Sequence, residues 1–149
     1  MSDSDLLHAT LVAFGDKGVL LQGKSGSGKS DLALRLIENK GAVLVADDVV
    51  SITTEDGKLR GSAPQNIAGK LEIRGVGIVK YPYLQEAEPV LNVRLVDEAV
   101  KIERMPKQQT TRILGLEIKQ IDLYAKENSA PEKVVAALRC VQNSQKKED

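Results

Sequence analysis

An α/β fold, a mixed β-sheet with flanking helices, follows from three features of the sequence. A short apolar run at residues 19–22 leads into GKSGSGKS, and the helix-forming stretch SDLALRLIENK follows it. Strand, glycine loop and helix in that order make a phosphate-binding loop. A second apolar run, VLVA at 43–46, comes directly after the helix, as a buried parallel strand does. The remainder is mostly short β-rich segments divided by turn residues.

Taken in order, residues 7–14 (LHATLVAF) read as a strand, and Gly15-Asp16-Lys17-Gly18 as its turn into the strand at 19–22. The helix after the glycine loop places Leu32, Ala33, Leu36 and Ile37 at helical spacing, and Gly41 suits a left-handed C-terminal cap. Residues 49–53 and 59–62 flank Glu55-Asp56-Gly57, a hairpin signal. From 61 to 83 the chain is rich in Gly and Pro and no element is assigned, although LEIRGVGIV lies in its middle. Residues 90–96 and 116–123 read as strands. A capping box, Ser129-Ala130-Pro131-Glu132, opens a last helix expected to end near Gln142, with Val134, Leu138 and Val141 on one face and a frayed tail at 144–149.

Composition bounds the function. A chain of 149 residues is expected to form a single domain, and 42% apolar with 28% charged residues is ordinary globular composition. One Phe, three Tyr and no Trp make the core aliphatic. Basic and acidic residues balance at 21 each, so there is no basic stripe with aromatic platforms, and nucleic acid is not an expected partner. No apolar stretch approaches a membrane span and no signal peptide is visible, so a cytoplasmic protein is expected. The single cysteine, Cys140, reads as a small buried hydrophobe.

The loop, Gly23, Lys24, Ser25, Gly26, Ser27, Gly28, Lys29 and Ser30, matches G-x-x-x-x-G-K-S in full. Its backbone N–H groups converge on phosphate at a helix N-terminus, Lys29 reaches the β- and γ-phosphates, and the Ser30 hydroxyl holds Mg²⁺. The dinucleotide fingerprint is absent, because the position of its last glycine is Asp31. Asp47 and Asp48 close the second apolar strand, where a phosphate-loop enzyme keeps its second metal-binding acid. Side chains alternate at a strand end, so one of the pair can serve the metal while the other takes the proton of a hydroxyl acceptor. On their own, His8, the one histidine, reads as structural, and Glu72 with Arg74 as either a phosphate-site pair on one face of an extended segment or a surface ion pair. Arg104 in KIERMP is a candidate for charge on the transferring phosphoryl group. A guanine-specifying N-K-x-D, the H-R-D and D-F-G of protein kinases, and the Arg-rich lid of small nucleotide kinases are all missing.

His8, GKSGSGKS 15 residues later, VLVADD, LEIRGVGIV and the Arg of IERMP together resemble the HPr kinase/phosphorylase family, over about residues 7–141. LEIRGVGIV, which includes Arg74 and Gly75, is the specific part. The chain looks like the short form found in alphaproteobacteria, which begins at the kinase core. The resemblance implies a phosphate-loop kinase core similar to phosphoenolpyruvate carboxykinase, assembled into hexamers. It also implies ATP- and Mg²⁺-dependent phosphorylation of a serine on HPr, the phosphocarrier of the sugar phosphotransferase system. By the same resemblance His8, Lys29 and Arg104 are catalytic, Ser30 and Glu72 are Mg²⁺ ligands, and the acid/base is Asp48, with Asp47 second. Longer members carry a basic, Pro- and Gly-containing loop tied to the reverse, phosphorylase reaction. The corresponding stretch here reads KQQTTRILGLEI, so a weak or absent phosphorylase is expected. The alternative function is a nucleotide-operated regulatory switch that binds a signalling partner.

Overall fold

The computed structural model describes residues 4–148. In chain order the elements are β1 (Ser4–Leu7), β2 (Thr10–Phe14), β3 (Lys17–Gln22), α1 (Lys29–Lys40), β4 (Val43–Ala46), β5 (Val50–Glu55), β6 (Lys58–Ser62), β7 (Lys70–Ile73), β8 (Gly77–Lys80), β9 (Glu88–Leu95), β10 (Gln109–Ile113), β11 (Leu116–Leu123) and α2 (Ala130–Glu148). Six strands make the main sheet, in the order β10-β11-β9-β3-β2-β4. The pairings β3–β9 and β9–β11 are parallel, while β2 runs antiparallel to both β3 and β4, and β10 antiparallel to β11. Hence β4, β3, β9 and β11 all point one way, and their carboxyl ends share one edge of the sheet.

Alternation on these strands feeds two aliphatic cores. Val12, Val19 and Leu21 face one side, where Leu32 and Leu36 of α1 and Val134 and Leu138 of α2 cover them. Leu11, Ala13 and Leu20 face the other, under Val50 and Ile52 of β5 and Leu59 of β6. The flanking helices therefore share a single face. The opposite face is taken by a small sheet, β1-β5-β6, because the β5–β6 hairpin follows β4 directly and folds back over it. The two layers approach so closely at β6 that a Cβ on Gly61 would lie 2.6 Å from a Leu11 methyl.

Several expectations meet the structure unchanged. The helix after the glycine loop buries Leu32, Ala33 and Leu36 and is closed by Gly41 at φ 78°, in the left-handed region. The turn Asp56-Gly57 has positive φ at both residues, 52° and 75°, the two-residue geometry that suits a hairpin's twist. Other expectations are corrected. Residues 7–14 are not one strand: the chain bends at His8, leaving β1 in the small sheet and β2 in the large one. The unassigned stretch holds a 3₁₀ turn, Gln65–Ile67, and the β7–β8 hairpin. β10 was hidden by polar residues that face solvent on an edge strand.

The last helix continues to Glu148 rather than stopping near Gln142; the side chains of the expected frayed tail at 144–149 lie outside those described. Glu132 does not complete a capping box. Its carboxylate reaches Lys40 at the end of α1, 2.7 Å away, joining the two helices. Cys140 is exposed rather than buried, since it lies two residues beyond Leu138 and about 200° around the helix from that core position.

Candidate active site

Parallel strands that end together leave a crevice at their carboxyl edge, and the glycine loop enters it from β3. The loop opens with a tight fold: a Cβ on Gly23 would lie 2.5 Å from Ser27 Oγ and 3.1 Å from Leu95 Cβ. Gly26 at φ 83° and Gly28 at φ 100° adopt backbone conformations that a side chain strongly disfavours. The Ser27 amide donates to Lys24 O at 2.9 Å, and Gly28 begins α1 with no side-chain cap. The first-turn N–H groups are thus left to a ligand, at the positive end of the helix dipole. Lys29 folds over this ring, its ammonium donating to Gly23 O at 2.7 Å and Lys24 O at 3.2 Å. Ser27 Oγ is buried without a partner. A curl of backbone donors, a lysine held by its own loop and an orphaned hydroxyl fit nucleotide phosphates.

The two aspartates diverge at the end of β4. Asp47 is 8% exposed. Its Oδ1 accepts from the hydroxyls of Ser30 at 2.8 Å and Thr10 at 2.9 Å, and its Oδ2 accepts from the Glu72 amide at 3.1 Å. One carboxylate therefore ties α1, β2, β4 and β7 together behind the loop. Asp48 is exposed and holds φ at 69°. The Val49 amide donates to Asp47 O at 2.8 Å, making Asp48 the centre of a three-residue turn, a strained conformation costing about 1–3 kcal/mol. Its peptide is gripped on both sides: the Asp48 N–H donates to Thr10 Oγ1 at 3.2 Å, and the Asp48 carbonyl accepts from the Ala9 amide at 3.1 Å. The second bond brings the bend that carries the exposed His8 against the Asp48 turn.

Glu72 lies on β7 with its amide on Asp47 and its side chain exposed. Mg²⁺ keeps most of its shell for water and phosphate and takes one or two protein groups, so the Ser30 hydroxyl with a carboxylate nearby is a donor set that fits it. Among the described residues no cluster of three or more His, Cys, Asp or Glu forms a complete metal cage. Arg74 and Gly75 sit in the β7–β8 turn, Gly75 at φ 86°, so Arg74 does not share a strand face with Glu72 as expected. That face instead pairs Glu72 with Ile78 across the hairpin. Arg104 is exposed on the irregular segment that leaves β9. This segment starts beside the glycine loop: Asp97 is held below its usual value chiefly by its hydrogen bond to Lys101, with Lys24 of the loop also contributing.

Sequence reading missed two residues that organise this edge. Thr10 is fully buried and ties Asp47 to Asp48. Arg35 donates to the carbonyls of Ala125 at 2.6 Å and Glu127 at 2.8 Å, clamping the loop after β11 to α1. Ala125 of that loop would meet a Cβ on Gly28 at 3.0 Å, so this loop walls the glycine ring. A bond spanning 37 residues for Thr10 or 90 for Arg35 leaves no local signal. The stretch expected to stand for the phosphorylase loop, KQQTTRILGLEI, falls largely on β10 and β11. Its turn, Leu114-Gly115, is at the end of the hairpin away from the carboxyl edge.

A sequence model of the HPr Serine kinase C-terminal domain matches residues 1–148. The HPr kinase/phosphorylase of Clostridium tetani is 41% identical over 111 residues, which are 74% of this chain and 36% of that protein. The HPr kinase/phosphorylase of Brevibacillus brevis is 40% identical over 118 residues, 78% of this chain and 38% of that one. The matched region thus spans less than two-fifths of the length of these relatives. Among solved structures, the Hpr(Ser) kinase/phosphatase from Coxiella burnetii superposes with a TM-score of 0.83 at 28% identity, covering 95% of this chain and 99% of that one.

Proposed function

The chain belongs to the HPr serine kinase C-terminal domain family, and from that premise we propose that it transfers the γ-phosphoryl group of ATP to a serine of the phosphocarrier protein HPr. The observation that carries this reading is the division of labour in the aspartate pair. Asp47 is buried against Ser30, while Asp48 is displayed to solvent on a pinned turn at the same edge. A regulatory switch needs metal ligands and an ordered water, and has no use for a carboxylate set out in this way.

In this mechanism the loop amides and Lys29 hold the β- and γ-phosphates, and Ser30 and Glu72 hold Mg²⁺. The metal, when bound, neutralises charge on the phosphate oxygens. Asp47 orients the Ser30 hydroxyl through their 2.8 Å hydrogen bond. Asp48 accepts the proton of the serine hydroxyl as its oxygen bonds to phosphorus. His8, beside that turn, and Arg104, on the segment that begins beside Lys24, are assigned to acceptor orientation and to charge on the transferring group. A cytoplasmic location, where ATP is available, belongs to the same proposal. Hexameric assembly, as the family resemblance implies, belongs to the same proposal.

The test is incubation of the purified protein with HPr, labelled ATP and Mg²⁺, followed by mass spectrometry. One phosphate on a serine of HPr and none on histidine is the expected result. Efficient transfer to a nucleoside monophosphate, or hydrolysis of ATP with HPr unmodified, overturns the assignment.

A further inference from the structure

We propose that Thr10 is a positioning residue for phosphoryl transfer, setting Asp48 through the strained turn; the proposal rests on the kinase reading above. Thr10 opens β2, the antiparallel strand inserted between β3 and β4, so its side chain emerges at the edge where those two strands end. It is 0% exposed, one of three buried polar or charged side chains found among the described residues. A hydroxyl has one proton to give and lone pairs to receive. The proton is given to Asp47 Oδ1 at 2.9 Å, and a lone pair receives the Asp48 amide at 3.2 Å.

The two aspartates are thus joined through one side chain. Asp47 is also fixed by Ser30 and by the Glu72 amide, so it forms a rigid base from which the Thr10 oxygen is aimed. The Asp48 turn has φ of 69°, which a non-glycine residue leaves readily unless its surroundings hold it. Besides the turn's own bond from the Val49 amide to Asp47 O, two hydrogen bonds grip the Asp48 peptide: the Ala9 amide on its carbonyl and the Thr10 hydroxyl on its N–H. Remove the hydroxyl and the Asp48 N–H has no partner, Asp47 loses a donor, and the direction of the Asp48 carboxylate is no longer set. Thr10 reaches the phosphate side only through Asp47, which keeps its bonds to Ser30 and the Glu72 amide when the hydroxyl is removed, so the larger effect falls on the transfer step.

Thr10→Val keeps the branched shape and deletes the hydroxyl, while Thr10→Ser keeps the hydroxyl. For HPr phosphorylation, Thr10→Val is expected to lower kcat about 10- to 100-fold, the scale of a small misplacement of a reacting group, with the KM for ATP changed far less. Thr10→Ser should recover most of the rate. In an Asp48→Asn background Thr10→Val should add no further loss, since the two act on one step. Hydrogen exchange at the Asp48 amide, followed by NMR, should quicken about tenfold or more in Thr10→Val and stay near the original rate in Thr10→Ser. Thr10→Ala serves the same comparison should Thr10→Val not fold.

Equal losses in the Val and Ser variants, losses that add to those of Asp48→Asn, or an unchanged Asp48 amide in the Val variant each overturn the proposal. If the unmodified protein transfers nothing to HPr, the functional reading falls by itself. The exchange comparison then still decides whether Thr10 holds the turn.

Discussion

The Lys29 ammonium donates to two carbonyls of its own loop, Gly23 O and Lys24 O. On the proposed mechanism its contribution is charge delivered to phosphate oxygens, so Lys29→Ala is expected to reduce transfer at least about 100-fold, with the thermal midpoint changed far less. An undiminished rate would remove the nucleotide site from the glycine loop. Ser30 and Glu72 are joined indirectly, Ser30 through its hydroxyl and Glu72 through its amide, to the same Asp47 carboxylate. If both hold one ion, Ser30→Ala and Glu72→Gln each raise the Mg²⁺ concentration needed for half-maximal rate, and the double variant loses less than the sum. Mg²⁺ titrations of the two singles and the double decide this, strictly additive losses pointing to separate roles.

At the scale of elements, Leu71 anchors the β7–β8 hairpin beside the site, with Ile73 packed against the same core. Leu71 is fully buried in the core beneath α1, and the next residue gives its amide to Asp47. Leu71→Ala should cost about 2–5 kcal/mol of stability by leaving a cavity, and should also weaken Mg²⁺ dependence by loosening Glu72. Denaturant midpoints and the Mg²⁺ titration read the two effects separately; a loss of stability alone would mean that the hairpin does not position Glu72. The helix pair is tied by Glu132 and Lys40. Its hydrogen bond to Lys40 holds the Glu132 carboxyl below its ordinary value of 4.5. A folded-state value below the unfolded one gives stability that is present above pH 4.5 and is lost as pH falls through the folded value. Glu132→Gln should therefore lower the thermal midpoint slightly at pH 7, by an amount that shrinks as pH falls below 4.5, as paired melting curves will test. A difference that persists in acid would assign the effect to packing.

At the scale of the molecule, the proposed function has one carboxyl edge serve either direction of phosphoryl transfer. On the proposed mechanism the reverse reaction has inorganic phosphate attack phosphoserine while Asp48 returns a proton to the leaving serine oxygen, so Asp48→Asn is expected to lower both directions alike, by about 100- to 10,000-fold. What the reverse direction additionally needs is charge to hold free phosphate against phosphoserine. The loop that lies against the glycine ring, Tyr124-Ala125-Lys126-Glu127-Asn128-Ser129, carries one basic residue, one acidic residue and neither Pro nor Gly. Kinase activity with a weak or absent phosphorylase is the expected result, measured as pyrophosphate released from phosphoserine-HPr at millimolar phosphate. A reverse rate rivalling the forward one would show that a basic loop is dispensable.

The local structure carried by contiguous residues was legible from the sequence. GKSGSGKS, the helix after it with its Gly41 cap, VLVADD and the Asp56-Gly57 hairpin are each set by neighbours a few residues apart, where spacing and backbone preference suffice. Local pattern failed where the reason for a residue lies across the fold. The break at His8, the Glu132–Lys40 tie, the exposure of Cys140 and the clamp made by Arg35 all depend on which surface another element happens to cover. The aspartate pair shows the division most clearly. By itself the sequence determined that two carboxylates end a strand beside a phosphate loop. Only the tertiary structure decided that Asp47 turns inward and Asp48 outward, because Ser30, Thr10 and the Glu72 amide converge on Asp47 from three other elements and leave Asp48 on a turn held by the start of β2.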